Sequence, residues 1–251
     1  MSIEDQILLT NIFSAYERTC IVTRITHAPY YPSKPYSSIH TCLNEYTVRQ
    51  RSLIEYFKLI PEFNSFTMDD KVRLIRNHFG SMFGINERIC NDVISENAKL
   101  TIRNLFETDL ANDFIHSIYL MSAYASDPMF LELVLVVRTL SSGFNRYHHD
   151  PDIDRIYDNT LKIFASQNIY VELLWRYLLS RLPSEQNAIK FFNKFILDLL
   201  FLQRTYIRLG CHIYRSKDEL NRLHPLMQSM WPLNKQSAQT NGNDHVMKSW
   251  L

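Results

Sequence analysis

Glycine is scarce in this chain, with five in 251 residues, and proline stands at nine. A fold of many tight turns needs more of both, so the composition argues against an all-β sandwich. The four cysteines, Cys20, Cys42, Cys90 and Cys211, lie far apart and form no Cys-x-x-Cys pair. That leaves no zinc-finger spacing and predicts free, buried thiols. Charge of one sign is also lacking. The net charge is +1, so no global field draws in nucleic acid or a membrane surface. No apolar run reaches the length of a membrane span: residues 130–137 are interrupted by Glu132, and residues 196–202 by Asp198. The opening residues have neither a basic region nor an apolar core, so no signal peptide is expected. Phosphate-cradling glycine loops, Gly-x-Ser-x-Gly and His-Glu-x-x-His are missing, and the nine histidines are scattered. A non-enzymatic protein without a cofactor is the expectation, with an enzyme as the runner-up class.

What the chain does have is apolar residues at helical spacing. It is 46% hydrophobic and 21% charged, which suits a folded domain with a sizeable core. The 3.6-residue period predicts an almost all-α protein. One domain is expected over residues 1–231, followed by a polar tail over 232–251 without structure of its own.

Residues 53–76 organise the rest. Leu53, Ile54, Phe57 and Ile60 give a first helix an apolar face, and Pro61 stops it. Phe63 and Phe66 pin the linker to the core. Thr67 then starts a second helix, with Asp70 three residues on as an acidic variant of the capping box. Val72, Leu74 and Ile75 are its buried side, and Lys58 and Arg76 project from the two different helices. The second helix continues over 77–89, with Phe79, Met82 and Phe83 inward. Gly80 and Gly84, four apart, permit a close neighbour.

Other elements follow from similar signals. A first helix is expected over 2–19, with Ser2 and Asp5 as a capping box and Ile7, Leu8, Ile12, Phe13 and Tyr16 as its buried stripe. Residues 93–124 hold one or two helices, with a short strand pair near 101–106. Asp127-Pro128 opens a helix that is apolar on nearly all sides. Ser184 caps a last long helix carrying Ile189, Phe192, Ile196, Leu199, Leu200 and Arg204. The stretch 148–154 has the alternating Asp of a calcium loop, but Arg155 and Leu161 stand where glycine and glutamate are needed, so no metal is expected.

The run Phe57-Lys58-Leu59-Ile60-Pro61-Glu62-Phe63, then Asp70-Lys71 and Leu74-Ile75-Arg76, resembles the signature of the nuclear receptor ligand-binding domain. The family pattern is Phe-Ala-Lys, two apolar residues, Pro-Gly-Phe, a short gap, then Asp-Gln, an apolar pair and Lys. This chain keeps the spacing and departs at Phe57, Glu62, Lys71 and Arg76. Weaker likenesses occur in the same order elsewhere. They lie at 4–6 with 14–19, at 169–177, at Gln203-Arg204-Thr205 and at 223–231, and are closest to the vitamin D, oxysterol and ecdysone receptor branch.

The resemblance implies a layered helical sandwich, with room for one short β-hairpin, and a ligand-regulated transcription module acting in the nucleus and also in the cytoplasm. It implies a coregulator groove built from Lys58, Val72, Ile75, Arg76, Leu226, Met227, Ser229 and Met230. Leu-x-x-Leu-Leu or corepressor helices would lie there, with Lys58 on their carbonyl end. Ser229 stands where the family has the glutamate that holds the other end, which implies a weakened activation helix; Trp231 completes that motif. A lipophilic ligand would be lined by residues drawn from Ile54, Phe57, Phe79, Met82, Phe83, Arg88, His116, Tyr119, Met121 and His212. Each of these has ordinary packing as its competing reading. Glu132 and Arg181 match family positions that imply an internal ion pair. The long helix with Ile189, Phe192, Ile196, Leu199, Leu200 and Arg204 would pair with itself or with a retinoid X receptor-like partner. Direct nucleic-acid contact by this chain and membrane association are not expected. The alternative is a non-enzymatic dimerisation scaffold that kept the fold without the ligand response.

Overall fold

The computed structural model describes residues 1–26, 34–90, 94–141, 157–230 and 242–251. Every regular element among them is helical, and the expected strand pair near 101–106 is not formed. Ser95 instead caps a helix over Glu96–Leu105, its hydroxyl accepting from the Ala98 amide. The helices are α1 (Ile3–Tyr16), α2 (Val22–Thr26), α3 (Ile39–Glu45), α4 (Thr47–Lys58), α5 (Pro61–Asn64), α6 (Met68–Cys90) and α7 (Glu96–Leu105). They continue as α8 (Thr108–Ser122), α9 (Pro128–Thr139), α10 (Thr160–Arg181), α11 (Glu185–Arg215), α12 (Lys217–Asn221), α13 (Pro225–Met230) and α14 (Gly242–Trp250). A π-helical turn over Glu17–Ile21 joins α1 to α2.

The spine is α6, the second helix of the hairpin read from the sequence. It packs against α4, α8, α9, α11, α13 and α14. Its first turn is fastened by Asp70, which is 1% exposed. The Asp70 carboxylate accepts from the backbone amides of Asp158 at 2.9 Å and Asn159 at 3.3 Å, tying α6 to the start of α10. The Thr67 hydroxyl accepts from the Asp70 amide as a cap, but the reciprocal half of the box is diverted to α10. Pro61 does end α4's apolar run and sits in the first turn of α5, where its missing amide costs nothing.

The caps expected at Ser2 and Ser184 are made, and Asp127 caps the helix that Asp127-Pro128 opens. The stripe of α1 is rotated from the expected one: Leu9, Ile12, Ala15 and Tyr16 are buried, while Ile7 and Phe13 are 55% and 40% exposed. Asp5 sets that rotation. It is buried and takes the Arg176 guanidinium of α10 at 2.9 Å, which holds its carboxyl below the usual range.

The paired strut expected between Glu132 and Arg181 does not exist. Glu132 is 2% exposed on α9, and its Oε2 has no hydrogen-bond partner among the described residues. Arg181 lies in solvent, with Asp127 its nearest acid at 3.9 Å. Burial, with Glu17 and Asp127 adding like charge, pushes the Glu132 carboxyl up to about 8, so it is held largely neutral. All four cysteines are free; Cys20 and Cys90 are buried, whereas Cys211 is exposed. No helix among the described residues is long and apolar enough to cross a membrane. The stretch 148–154 lies outside the described residues, and among those described no three His, Cys, Asp or Glu side chains gather as a metal site.

The tail departs most from the sequence expectation. Residues 242–250 form α14, and α14 packs on α6 and α13. Met247 is fully buried there.

Candidate functional site: a lined cavity and the face beside it

Two features meet at α13. The first is a cavity enclosed by α3, α6, α7, α8, α11 and α13. Its walls are Leu43, Tyr46, Phe79, Phe83, Ile94, Ile102, Leu105, Phe106, Phe114, Ile118, Met121, Leu202, Tyr206, Leu209, Ile213 and Met227, with Cys42, Glu87, Arg88 and Thr101 among the polar lining groups. The space open to the centre of a water molecule is about 100 Å³. A single water needs roughly 10–15 Å³ on that measure, so the cavity has room for a small organic molecule rather than a bulky one.

Aromatic edges build the walls. Tyr46 meets Phe83 edge-on at 4.9 Å, Phe114 meets Tyr206 at 5.4 Å, and Phe106 meets Phe114 at 6.1 Å. Such edge-to-face pairs hold the rings in a fixed relative orientation. The close approach of α11 to α6 depends on the two glycines. A Cβ on Gly84 would lie 2.8 Å from the Tyr206 ring and 3.0 Å from Leu202, and one on Gly80 would lie 2.8 Å from Tyr206.

Two charged groups face this apolar space. Glu87 takes the Arg49 guanidinium at 2.7 Å. Arg88 is 6% exposed, and its Nε has no hydrogen-bond partner among the described residues. Its Nη1 lies a long 3.5 Å from the Ser122 hydroxyl. A buried guanidinium that leaves a donor unmade is expensive unless something else accepts from it.

Of the ten residues named from the sequence for this cavity, Phe79, Phe83, Arg88 and Met121 line it. Ile54, Phe57 and Met82 are buried in solid core instead. His116 is exposed against Phe201, and Tyr119 is 51% exposed. His212 sits behind the wall, its ring 5.4 Å from that of Phe106. The residues overlooked are mostly aromatic: Tyr46, Phe106, Phe114 and Tyr206. For Tyr206 a signal existed, since the Gly80 and Gly84 pair marks the place of a bulky neighbour.

The second feature is the face formed by the end of α4, by α6 and by α13. Val72, Ile75, Leu226 and Met230 are buried, and Arg76 Nε donates to the Ser229 carbonyl at 2.9 Å, fixing α13 on α6. Lys58 Nζ donates to Glu55 at 3.0 Å and to the Trp250 carbonyl of α14 at 3.4 Å. Met227 turns the other way and lines the cavity. The Ser229 hydroxyl points inward, donating to the Leu226 carbonyl at 2.7 Å and reaching Met247 Sδ at 3.8 Å. Trp231 lies outside the described residues.

On α11 the residues named for pairing divide. Ile189 and Leu200 are 44% and 55% exposed, and Leu197, which the sequence reading passed over, is 68% exposed. Arg204 is exposed too. Phe192, Ile196 and Leu199 are half-buried against the core. No protein-family model matches the chain, and no curated protein matches it.

Proposed function

We propose that this chain is a ligand-regulated transcription module of the nuclear receptor type. It takes a lipophilic small molecule into the cavity and presents the α4–α6–α13 face to coregulator helices. One observation carries the reading: α13 has Met227 on the cavity wall and, two residues later, Ser229 held by Arg76 at the face. A ligand that touches Met227 changes the stability of α13's position, and with it the shape of the face. That is a population shift driven by differential contact. The likeness of residues 57–63 and 70–76 to the receptor signature supports the same reading, as does the placement of Lys58 at the carbonyl end of a helix, where the dipole is negative. The reading makes the chain a binding module rather than a catalyst, with the nucleus as its place of action.

Arg88 narrows the ligand. Its unmade Nε bond inside an apolar wall suits a lipophilic molecule ending in a carboxylate or carbonyl acceptor. Native mass spectrometry of the purified chain tests this. The expected result is a bound small molecule that is lost in Arg88→Leu while the fold persists. Wild-type protein that stays empty after incubation with a lipid extract contradicts it.

The scaffold reading keeps one observation in its favour. Ile189, Leu197 and Leu200 leave apolar area in solvent along α11, as a pairing surface would. Self-pairing, or pairing with a retinoid X receptor-like partner, is compatible with both readings. Leu197→Glu is the variant to sediment against wild type, because Leu199 is partly packed inside.

A further inference from the structure

The face beside α13 is already covered, and by this chain. Helix α14 and the residue after it place Met247, Trp250 and Leu251 at i, i+3 and i+4, the spacing of one helix side. Met247 is fully buried against the Ser229 hydroxyl, and Trp250 and Leu251 are half-buried against the core. Polar contacts fix the direction in which the helix lies. Lys58 holds the Trp250 carbonyl near the C-terminal end at 3.4 Å, the Arg51 guanidinium lies 4.0 Å from the centre of the Trp250 ring, and Lys248 pairs with Asp69 of α6 at 2.6 Å.

We infer that α14 is a built-in competitor on the α4–α6–α13 face, so that the face admits only a partner helix with apolar residues at i, i+3 and i+4 and a basic residue at i+1 that displaces it. The inference rests on the proposed function for the class of partner. The chemistry of the seat is read from α14 itself. Met247, Trp250 and Leu251 supply the apolar triplet, Lys248 supplies the basic residue that meets Asp69, and Lys58 caps the carbonyl end. The competitor is poorly secured. A helix of nine residues does not persist alone in water, and only Met247 among its described side chains is fully buried. A partner offering three deep anchors therefore displaces it. Until then the site is closed to weaker ones, because binding is reduced by the fraction of molecules in which the face is open.

The probe is a fluorescent synthetic peptide with the sequence of residues 242–251, titrated onto full-length chains by fluorescence polarisation. Met247→Asp undocks α14 within the chain and leaves the face intact. The peptide should bind that variant at least tenfold more tightly than wild type. Lys248→Glu, an exposed change that turns the Asp69 pair into a repulsion, should give a smaller gain in the same direction. Adding Lys58→Ala to Met247→Asp should take most of the gain away. Equal affinity for wild type and both variants overturns the inference. A wild-type dimer that Met247→Asp dissolves also overturns it, by placing α14 on a second copy. Repeating the titration with a Leu-x-x-Leu-Leu coregulator peptide separates the two claims. If the chain's own peptide binds the opened face and the coregulator peptide does not, the proposed function fails and the seat of α14 on the face stands, with a partner of another class. If the coregulator peptide binds wild type and variant alike, the competitor fails and the function stands.

Discussion

The two halves of this molecule are packed to different standards. Around α9, side chains are sealed. Leu131, Leu133 and Leu135 are fully buried, and Phe130 sits among Tyr124, Phe191 and Phe195, the last with its ring centre 4.8 Å away. Around α7 and α8 the equivalent apolar side chains, Leu105, Phe106, Phe114 and Ile118, stay half-buried because they border the cavity. Protein interiors are close-packed by default, so a void lined by rings is a departure that weakens one end. The difference places the sealed core at the α9 end and, under the proposed function, ligand binding at the α8 end, with α6 crossing both.

Truncation breaks the comparison most directly. Phe130→Ala should cost about 3–5 kcal/mol, the range for a large ring removed from a sealed core. Phe114→Ala, whose ring already faces a void, should cost less than half as much. Urea unfolding of the two variants measures the gap, and equal losses would mean that the two ends are not packed differently.

The sealed end also hides a fault. Glu132 has its folded-state value raised to about 8 from 4.5. Unfolding lets it release a proton that the native state keeps, so its contribution to stability falls as pH rises from about 4.5 and levels off above about 8. His78 acts in the opposite sense. Burial lowers it to about 3 from 6.5, so stability is lost as pH falls through that window. Its Nε2 faces the Ser141 carbonyl at 2.6 Å, which makes Nε2 the protonated nitrogen of the neutral ring. The two trends oppose each other between pH 4.5 and 6.5, and Glu132 acts alone from 6.5 to 8. Glu132→Gln should remove the decline over that upper window and raise stability at pH 8 by roughly 2–4 kcal/mol. Unfolding curves at pH 6.5, 7.25 and 8 check it; a wild type with no slope there would show that the carboxylate finds a partner.

The glycine pair gives the smallest effect and sharpens the boundary between the halves. Gly84→Ala pushes Tyr206 and Leu202 outward and should cost about 1–3 kcal/mol, the scale of overpacking. It should weaken retention of a cavity ligand at the same time. A loss of stability with ligand retention unchanged would mean that Tyr206 yields away from the cavity.

Local signals were legible in the sequence. Ser2, Asp127 and Ser184 announce their helices because capping is decided within four residues. Pro61 and the apolar period on either side of it announce the α4–α6 hairpin for the same reason. Long-range choices were not legible. Nothing near Asp5 says that it will pair with Arg176, which turns α1 and exposes Ile7 and Phe13. Glu132 and Arg181 each look like half of a pair, yet burial placed one and exposure the other. A short apolar triplet at 247, 250 and 251 inside a polar stretch reads as tail, since its helix exists only where there is a face to receive it. In the cavity, inward Phe79 and Phe83 were readable from α6, whereas Tyr46 and Phe106 come from element ends that no period governs.

The central claim is that α13 transmits occupancy of the cavity to the docking face. The most direct measurement is the affinity of a Leu-x-x-Leu-Leu peptide for the Met247→Asp chain, first stripped of lipid and then loaded from a lipid extract, beside the same pair carrying Met227→Ala. The account predicts a modest gain on loading, about fivefold, at the low end of site-to-site coupling, because Ser229 is turned inward and offers no carboxylate to the peptide's first amides. Met227→Ala should abolish that gain. An affinity that is the same loaded and stripped, with ligand demonstrably bound, would contradict it.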